Sequence, residues 1–330
     1  MAEPIRCLVT GAAGFVGSYL VEALVSRGHE VSCLVRKTSN LAWLKGLPVR
    51  FVYGDVVDPD SLPAAVAGVD YVYHVAGVTK VLRDVDYFRV NTGGTANVLR
   101  ACAAADSPYR RIVLVSSLSA LGPPRDGQLL AEDDPARPIT PYGLSKHLAE
   151  ALAASYAGRL PLTVVRPSAI YGPRDREALV VFQWVSRGLR PVTRQKRLFS
   201  LIHVRDLASG LVLAAEHPAG VGRTYHLAND EPESLEGVSA LIAEALRRRA
   251  LTLRLPPAAF MAAAGLSELA GKLQGRPQIL DRNKALEATQ ASWVCDTRRA
   301  REELGFRAAI DVREGVRETA EWYRKAGWLR

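Results

Sequence analysis

A chain of 330 residues, 48% of them apolar, is long enough for one large domain or two intimately joined ones with a substantial core. Its formal charge of +9 is spread over scattered arginines with no nucleic-acid motif, so we expect a solvated basic surface that attracts an anionic cofactor or substrate, and no nucleic-acid partner. The four cysteines form no C-x-x-C and the six histidines no ligand-spaced cluster, which argues against a disulfide framework and against a metal site, so reduced thiols in a cytoplasmic protein are expected.

In chain order, Ile5–Val9 is a short apolar run that reads as a buried strand, and Phe15–Arg27 carries Val16, Leu20, Ala23 and Leu24 at helical spacing. Between them Gly11, Gly14 and Gly17 form a G-x-x-G-x-x-G turn. A tight strand-to-helix turn aims free helix N–H groups and the helix dipole at one point, an anion site suited to a pyrophosphate. Further strands are expected at Val31–Val35, Val49–Tyr53, Val69–Val75, Arg111–Val115 and Leu162–Arg166, with helices at about Val85–Ala105 and Pro141–Ala157. This alternation implies a parallel sheet covered on both faces. Ligands in such sheets lie beyond the carboxyl ends of the strands, where Gly11, Arg36, Asp55, Gly77, Ser117 and Pro167 converge.

The second half changes character. Residues 173–199 read as loop-rich and basic, with Ala178–Arg187 helical; Ser200–Val204 and Thr224–Leu227 read as strands flanking a helix over Asp206–Glu216. Helices are expected at Leu235–Arg249, Pro257–Leu273, Asp281–Thr289, Thr297–Leu304 and Val312–Lys325. The apolar stretch Leu255–Leu273 contains Pro256, Pro257, Ser267, Glu268 and Lys272, so it falls short of the roughly 20 apolar residues of a membrane span and reads as a surface or core helix. Glu3 and Pro4 come too early for a secretory leader. The expected architecture is α/β: a Rossmann-type doubly wound parallel sheet with a smaller, mainly helical C-terminal substrate domain. The cofactor domain spans 1–170, with 203–228 returning to it; 171–202 and 229–330 form the substrate domain.

At the end of the second strand an acidic residue would bind the ribose 2′-OH of NAD. Here the segment reads Val35-Arg-Lys-Thr-Ser-Asn40, with no acid. Arg36 and Lys37 can pair with a 2′-phosphate and Ser39 can donate to it, so NADP is expected over NAD. Asp55 is placed at the adenine or as a turn cap.

Pro141-Tyr-Gly-Leu-Ser-Lys146 puts Tyr142 and Lys146 one helical turn apart on one face. A free phenol has a pKa of about 10, and bringing it to about 7 requires on the order of 4 kcal/mol of differential stabilisation of the phenolate. A nearby ammonium supplies part of that and makes the phenol a general acid/base at working pH. Ser117, at the fifth strand end, can hydrogen-bond the reacting oxygen.

With these residues in place, the chain resembles the extended short-chain dehydrogenase/reductase, or NAD-dependent epimerase/dehydratase, family. The resemblance rests on Thr10–Gly17, Gly54-Asp55, His74–Gly77, Val115–Ser117, Tyr142–Lys146, Arg166–Pro173 and His203–Asp206, with Leu304–Phe306, Glu314-Gly315 and Trp322-Tyr323 near the terminus. It implies that Tyr142 is the acid/base, that Lys146 binds the nicotinamide ribose, that Ser117 orients the substrate oxygen, and that Asn91 supports the active-site backbone or a proton relay. The implied cofactor contacts are Gly11, Ala13, Gly14, Phe15, Val16, Asp55, Val56, Val75, Ala76, Gly77, Pro167 and Ile170, beside Arg36, Lys37 and Ser39. His203 and Asp206 are expected to fix a domain junction and Tyr171 to pack, while Phe182, Trp184 and Met261 suit either core or substrate wall.

Three functions compete: a reductase or dehydrogenase, a nucleotide-sugar epimerase or dehydratase with tightly bound NAD, and a dinucleotide sensor without chemistry. Ser117, Tyr142 and Lys146 together argue against the sensor. Leu118–Pro124 lacks the Thr-Asp-Glu that the resemblance would require of a 4,6-dehydratase. Val78, Leu118, Leu121 and Ile170 at the site edges are apolar. The resemblance therefore points to the branch with dihydroflavonol reductases and 3β-hydroxysteroid dehydrogenases, and to a hydrophobic ketone or alcohol as the small-molecule substrate. It also implies a homodimer through the helices at 85–105 and 141–157.

Overall fold

β1 (Arg6–Thr10) sends Cys7 and Val9 to one face and Leu8 to the other, and all three are buried. A strand covered on both sides belongs in the interior of a parallel sheet. In the computed structural model, which describes residues 4–105, 107–125, 127–195 and 197–329, β1 lies between β2 (Glu30–Val35) and β4 (Tyr71–His74). Glu3, on which the sequence reading drew, lies outside the described residues. β3 (Val49–Tyr53), β5 (Arg111–Val115), β6 (Leu162–Pro167) and the strand Thr224–Leu227 complete a seven-stranded sheet, paired parallel throughout, in the order Thr224–Leu227, β6, β5, β4, β1, β2, β3. The order reverses between β1 and β4, so the glycine turn after β1 opens at the point where such sheets bind ligands.

Two apolar clusters sandwich the sheet. On one face Leu20 and Leu24 of α1 (Phe15–Ser26) and Leu207 and Leu211 of the helix Val204–Glu216 meet Cys7 and Val9. On the other, Val98 and Leu99 meet Leu8, Val72, Ile112 and Leu114. A third core lies away from the sheet, around Phe182, Ile242, Val316 and Tyr323.

The structure departs from the sequence reading in three places. The helix expected over Val85–Ala105 is interrupted: Val85–Tyr87 is α-helical, Phe88–Gly93 is a π-helical turn, and α-helix resumes over Gly94–Ala104. The π turn carries Asn91, which is 1% exposed. The segment read as Ser200–Val204 forms a strand only over Leu201–His203. It pairs with Ala169–Tyr171 in a separate two-stranded sheet, and the following helix begins at Val204 because His203 caps it. The C-terminal half also holds strands that were not expected: Leu189–Thr193 pairs in parallel with Leu251–Leu255, and Leu198–Phe199 lies between Glu233–Ser234 and Ser292–Trp293. Of the two expectations for the apolar stretch, Pro257–Gln274 is the surface helix, with an outward apolar stripe in which Leu266, Leu269 and Leu273 are 71%, 56% and 82% exposed. Among the described residues no helix is long and apolar enough to cross a membrane.

All four cysteines are free and buried, and burial pushes the thiols of Cys7, Cys33, Cys102 and Cys295 up to about 12. They behave as small hydrophobic side chains.

Candidate active site

The turn after β1 is tight because three residues lack Cβ. Gly11 has φ +71°, and a Cβ there would stand 2.7 Å from the Ala76 nitrogen. A Cβ on Gly17 would stand 2.1 Å from the Gly11 carbonyl oxygen. Gly14 is the N-cap of α1, and among the described residues no side chain caps that helix and no acid sits in its first turn. The N–H groups of Phe15 and Val16 are thus left to an anion, beside the half-buried Ala13. This donor set fits a dinucleotide pyrophosphate. At the end of β2, Arg36 and Lys37 are exposed, and the Ser39 Oγ accepts from the Arg36 N–H at 3.0 Å. Asp55 accepts from the Val57 N–H at 3.1 Å, so its carboxylate caps the turn beside buried Val56.

The floor under Val75, Ala76 and Gly77 is a buried polar chain. Thr10 Oγ1 lies 2.8 Å from His74 Nδ1 and accepts from the Ala76 N–H at 3.1 Å; His74 Nε2 lies 3.1 Å from Thr95 Oγ1, which donates to the Asn91 carbonyl at 2.6 Å. Burial, helped by the charge of Lys146, pulls His74 down to about 3, so it is a neutral spacer here. Thr10 and Thr95 were not singled out from the sequence, since their partners come from other elements.

The catalytic candidates sit on a helix with a clear local start. Thr140 accepts from the Gly143 N–H at 3.1 Å, and Pro141 occupies the first turn of Pro141–Ser155. A Cβ on Gly143 would stand 2.3 Å from the Ser119 carbonyl oxygen, so the helix start presses on the short turn Leu118–Ala120. That contact brings Tyr142 to Ser117, whose hydroxyl interacts with the phenol. Asn91, from the π turn, accepts from the Val78 N–H at 2.8 Å and donates to the Val78 carbonyl at 3.1 Å and to Ser145 Oγ at 2.9 Å. Its side chain thus bridges the Val78 backbone and the Ser145 hydroxyl. Pro167 is buried at the end of β6, and Ile170 is half-buried in the strand that follows.

Lys146 is 5% exposed and donates from Nζ to the Val115 carbonyl at 2.6 Å. Burial lowers it to about 8, with Glu150 opposing. For Tyr142, burial raises the phenol above its ordinary value. Against that act the charge of Lys284 first and the Ser117 hydrogen bond second, while Glu287 and Glu177 add to the rise. Lys284 belongs to the helix Arg282–Ala288, and its Nζ lies 6.0 Å from the Tyr142 ring centroid. It pairs with Glu177 at 3.3 Å, which accepts from Thr79 Oγ1 at 2.7 Å. Tyr87 closes the other side, its ring edge-on to Tyr142 at 5.8 Å. No sequence signal marks Lys284, because it lies far along the chain from Tyr142 and on no motif.

Of the remaining candidates, Asp206 accepts from the Ile310 N–H at 3.0 Å and so ties two distant segments. Tyr171 packs against Gly315, Phe182 is core at 2% exposed, and Trp184 is 41% exposed on the surface.

The family profile described as "NAD dependent epimerase/dehydratase family" matches residues 7–228. The chain is 31% identical over 327 residues to the ceramide reductase of Caulobacter vibrioides, covering 97% of this chain and 95% of that protein. It is 30% identical over 341 residues to the 3 beta-hydroxysteroid dehydrogenase/Delta 5-->4-isomerase of Mycobacterium tuberculosis, covering 96% and 90%. The crystal structure of the Thermus thermophilus UDP-glucose 4-epimerase in complex with NAD shares the fold, with a TM-score of 0.77 at 23% identity over 98% of this chain and 100% of that one. The chain therefore belongs to the NAD-dependent epimerase/dehydratase family and is an NAD(P)-dependent oxidoreductase of the extended short-chain dehydrogenase/reductase type.

Proposed function

We propose that this oxidoreductase uses NADP to interconvert a carbonyl and a secondary alcohol on a fairly hydrophobic small molecule, of steroid, flavonoid or isoprenoid character, with Tyr142 as general acid/base. The observation that carries this reading is the convergence of Ser117, Tyr142 and Lys146 at the end of β5, across from the glycine turn. The nicotinamide supplies the hydride exchange at the carbonyl carbon. In reduction the Tyr142 hydroxyl gives its proton to the substrate oxygen while Ser117 donates a hydrogen bond to the same oxygen. In oxidation the phenolate takes the proton back. Lys146 supports the negative charge on Tyr142 and, by its place one turn further along the helix, suits the nicotinamide ribose. Arg36 and Lys37, exposed with no acid beside them up to Asn40, favour a 2′-phosphate. Relatives named for ceramide and steroid substrates support a lipophilic substrate, whereas Leu118 and Leu121, expected at the site edge, are buried in a core cluster with Leu130 and Cys295. This reading assigns 1–170 and 203–228 to the cofactor half and 171–202 and 229–330 to the substrate half. Exposed Val85, Leu144 and Leu148 favour a homodimer through the helices of that face.

The second reading, a nucleotide-sugar epimerase with tightly held NAD, has the epimerase fold on its side. Incubation with NADPH and a panel of lipophilic ketones separates the two: ketone-dependent NADPH oxidation, lost in Tyr142→Phe, is expected. Turnover of a nucleotide sugar with no added cofactor, and none of any ketone, would overturn the reductase. The cofactor is tested by Arg36→Asp, which should weaken NADPH at least about tenfold relative to NADH, the loss expected when an ion pair to a phosphate becomes a repulsion; an unchanged ratio removes the argument from Arg36.

A further inference from the structure

Two lysines lie in the site, one on the helix of Tyr142 and one far along the chain. Lys146 lies one turn along, buried, with its proton directed at the Val115 carbonyl. Lys284 comes from the C-terminal half of the chain, on Arg282–Ala288, with Nζ 6.0 Å from the phenol ring centroid. From the geometry we infer that Lys284 is a positioning residue for the reaction, a second cation that stabilises the Tyr142 phenolate from the C-terminal half of the chain.

Three observations support this. First, the lysine is held in place. Its ammonium is 3.3 Å from Glu177, which is itself fixed by the Thr79 hydroxyl at 2.7 Å, and its helix is tied to the catalytic helix where Thr140 donates to Glu287 at 3.1 Å. Asp281 caps that helix by accepting from the Lys284 N–H at 2.8 Å. Second, its charge persists. Burial works against the ammonium, but Glu177, Glu287 and Tyr142 outweigh it and hold Lys284 above its ordinary value, whereas Lys146 is lowered to about 8. Third, the remaining charges around the phenol are accounted for. Glu287 and Glu177 oppose the phenolate, Ser117 and Lys284 favour it, and Tyr87 packs edge-on. Asp175 and Asp281 interact with Lys284, and Lys80 with Glu177. Lys284 is the strongest favourable charge in that set.

The inference rests on the proposed acid/base role of Tyr142, so its test has one arm that needs no turnover. Ultraviolet titration near the phenolate band, taken as the difference between a Lys284 background and the same background carrying Tyr142→Phe, reports the Tyr142 pKa directly. Lys284→Met and Lys284→Gln should raise it by about one unit, the scale of a partly exposed charge at this separation. Lys284→Arg should leave it within a few tenths. The second arm is the pH profile of kcat/KM for alcohol oxidation with NADP, whose acidic limb should move upward by the same amount in the two neutral variants while NADPH affinity stays unchanged. Two neutral variants guard against one that fails to fold. A Tyr142 titration that is unmoved in a folded neutral variant, or an Arg variant as shifted as the Met variant, would overturn the role of Lys284. Retained turnover in Tyr142→Phe with a shifted titration would instead sink the acid/base reading and leave the electrostatic coupling standing.

Discussion

Asn91 and Ser145 lie 54 positions apart and are joined by a buried hydrogen bond of 2.9 Å from Asn91 Nδ2 to Ser145 Oγ. Ser145 in turn donates to the Tyr142 carbonyl at 2.7 Å, and Asn91 holds both backbone groups of Val78. One amide thus locks the catalytic helix to the loop after β4. The π turn at Phe88–Gly93 makes this possible by placing Asn91 in the interior.

Asn91→Ala should therefore lower stability and catalysis together. It removes both bonds that hold the half-buried Val78 backbone, which costs about 1–2 kcal/mol in total. Urea unfolding should show that loss, and kcat should fall about tenfold, as a catalytic helix set loose from its loop implies, while the affinity for the adenine end of the cofactor is kept. An unchanged unfolding midpoint would mean that the loop is held by something else.

Arg166 and Glu150 form a bidentate pair in which both side chains are 9% exposed, at 2.9 and 2.7 Å, with a third bond from Arg166 to the Glu132 carbonyl at 2.8 Å. Arg166→Met alone leaves the Glu150 carboxylate without its partner and should cost about 3–5 kcal/mol. The double variant Arg166→Met, Glu150→Met should recover at least about 1 kcal/mol of that loss, because no isolated charge remains. A double-mutant cycle by denaturant unfolding measures the difference; strict additivity would refute the coupling. Glu150 also raises Lys146, so Glu150→Gln should lower the lysine further below its ordinary value.

Buried histidines should make the fold sensitive to mild acid. Burial lowers His74 and His226 to about 3 and His203 to about 4. Below a pH of about 6.5 the unfolded chain binds protons at these positions that the folded chain refuses, so stability falls as pH drops from there toward about 4. Asp175, raised by burial to about 6 from an ordinary 3.8, acts in the opposite direction between those values and offsets one histidine. Glu132, Asp281 and Glu318, also raised by burial, act in the same direction as Asp175, so the three histidines are opposed by carboxyls in the lower part of the window. His226→Gln should flatten that slope in unfolding curves taken across the window, and a slope equal to the parent's would exclude His226 as a contributor.

Much of this protein was legible before any fold was seen. Period-two and period-3.6 patterns are local, so β1 to β6, the glycine turn and the helix bearing Tyr142 and Lys146 stand where their side chains put them. Pro141, suited to a first helical turn, marked the start of that helix, while its Thr140 cap emerged only with the structure. The absence of an acid after β2 was likewise readable, since it depends on one short segment.

What depended on distant neighbours was not. The strands Ala169–Tyr171 and Leu198–Phe199 are too short to carry a period, and form only because partners arrive from elsewhere in the chain. The π turn follows from what Asn91 reaches across the interior, not from any helix signal in 85–105. Lys284 meets Tyr142 solely through the docking of the C-terminal helices, so no spacing announces it. The sequence by itself determined which residues share a face, because backbone geometry sets that within a few positions. Only the tertiary structure decided which charges confront one another, because that is a property of packing between elements far apart in the chain.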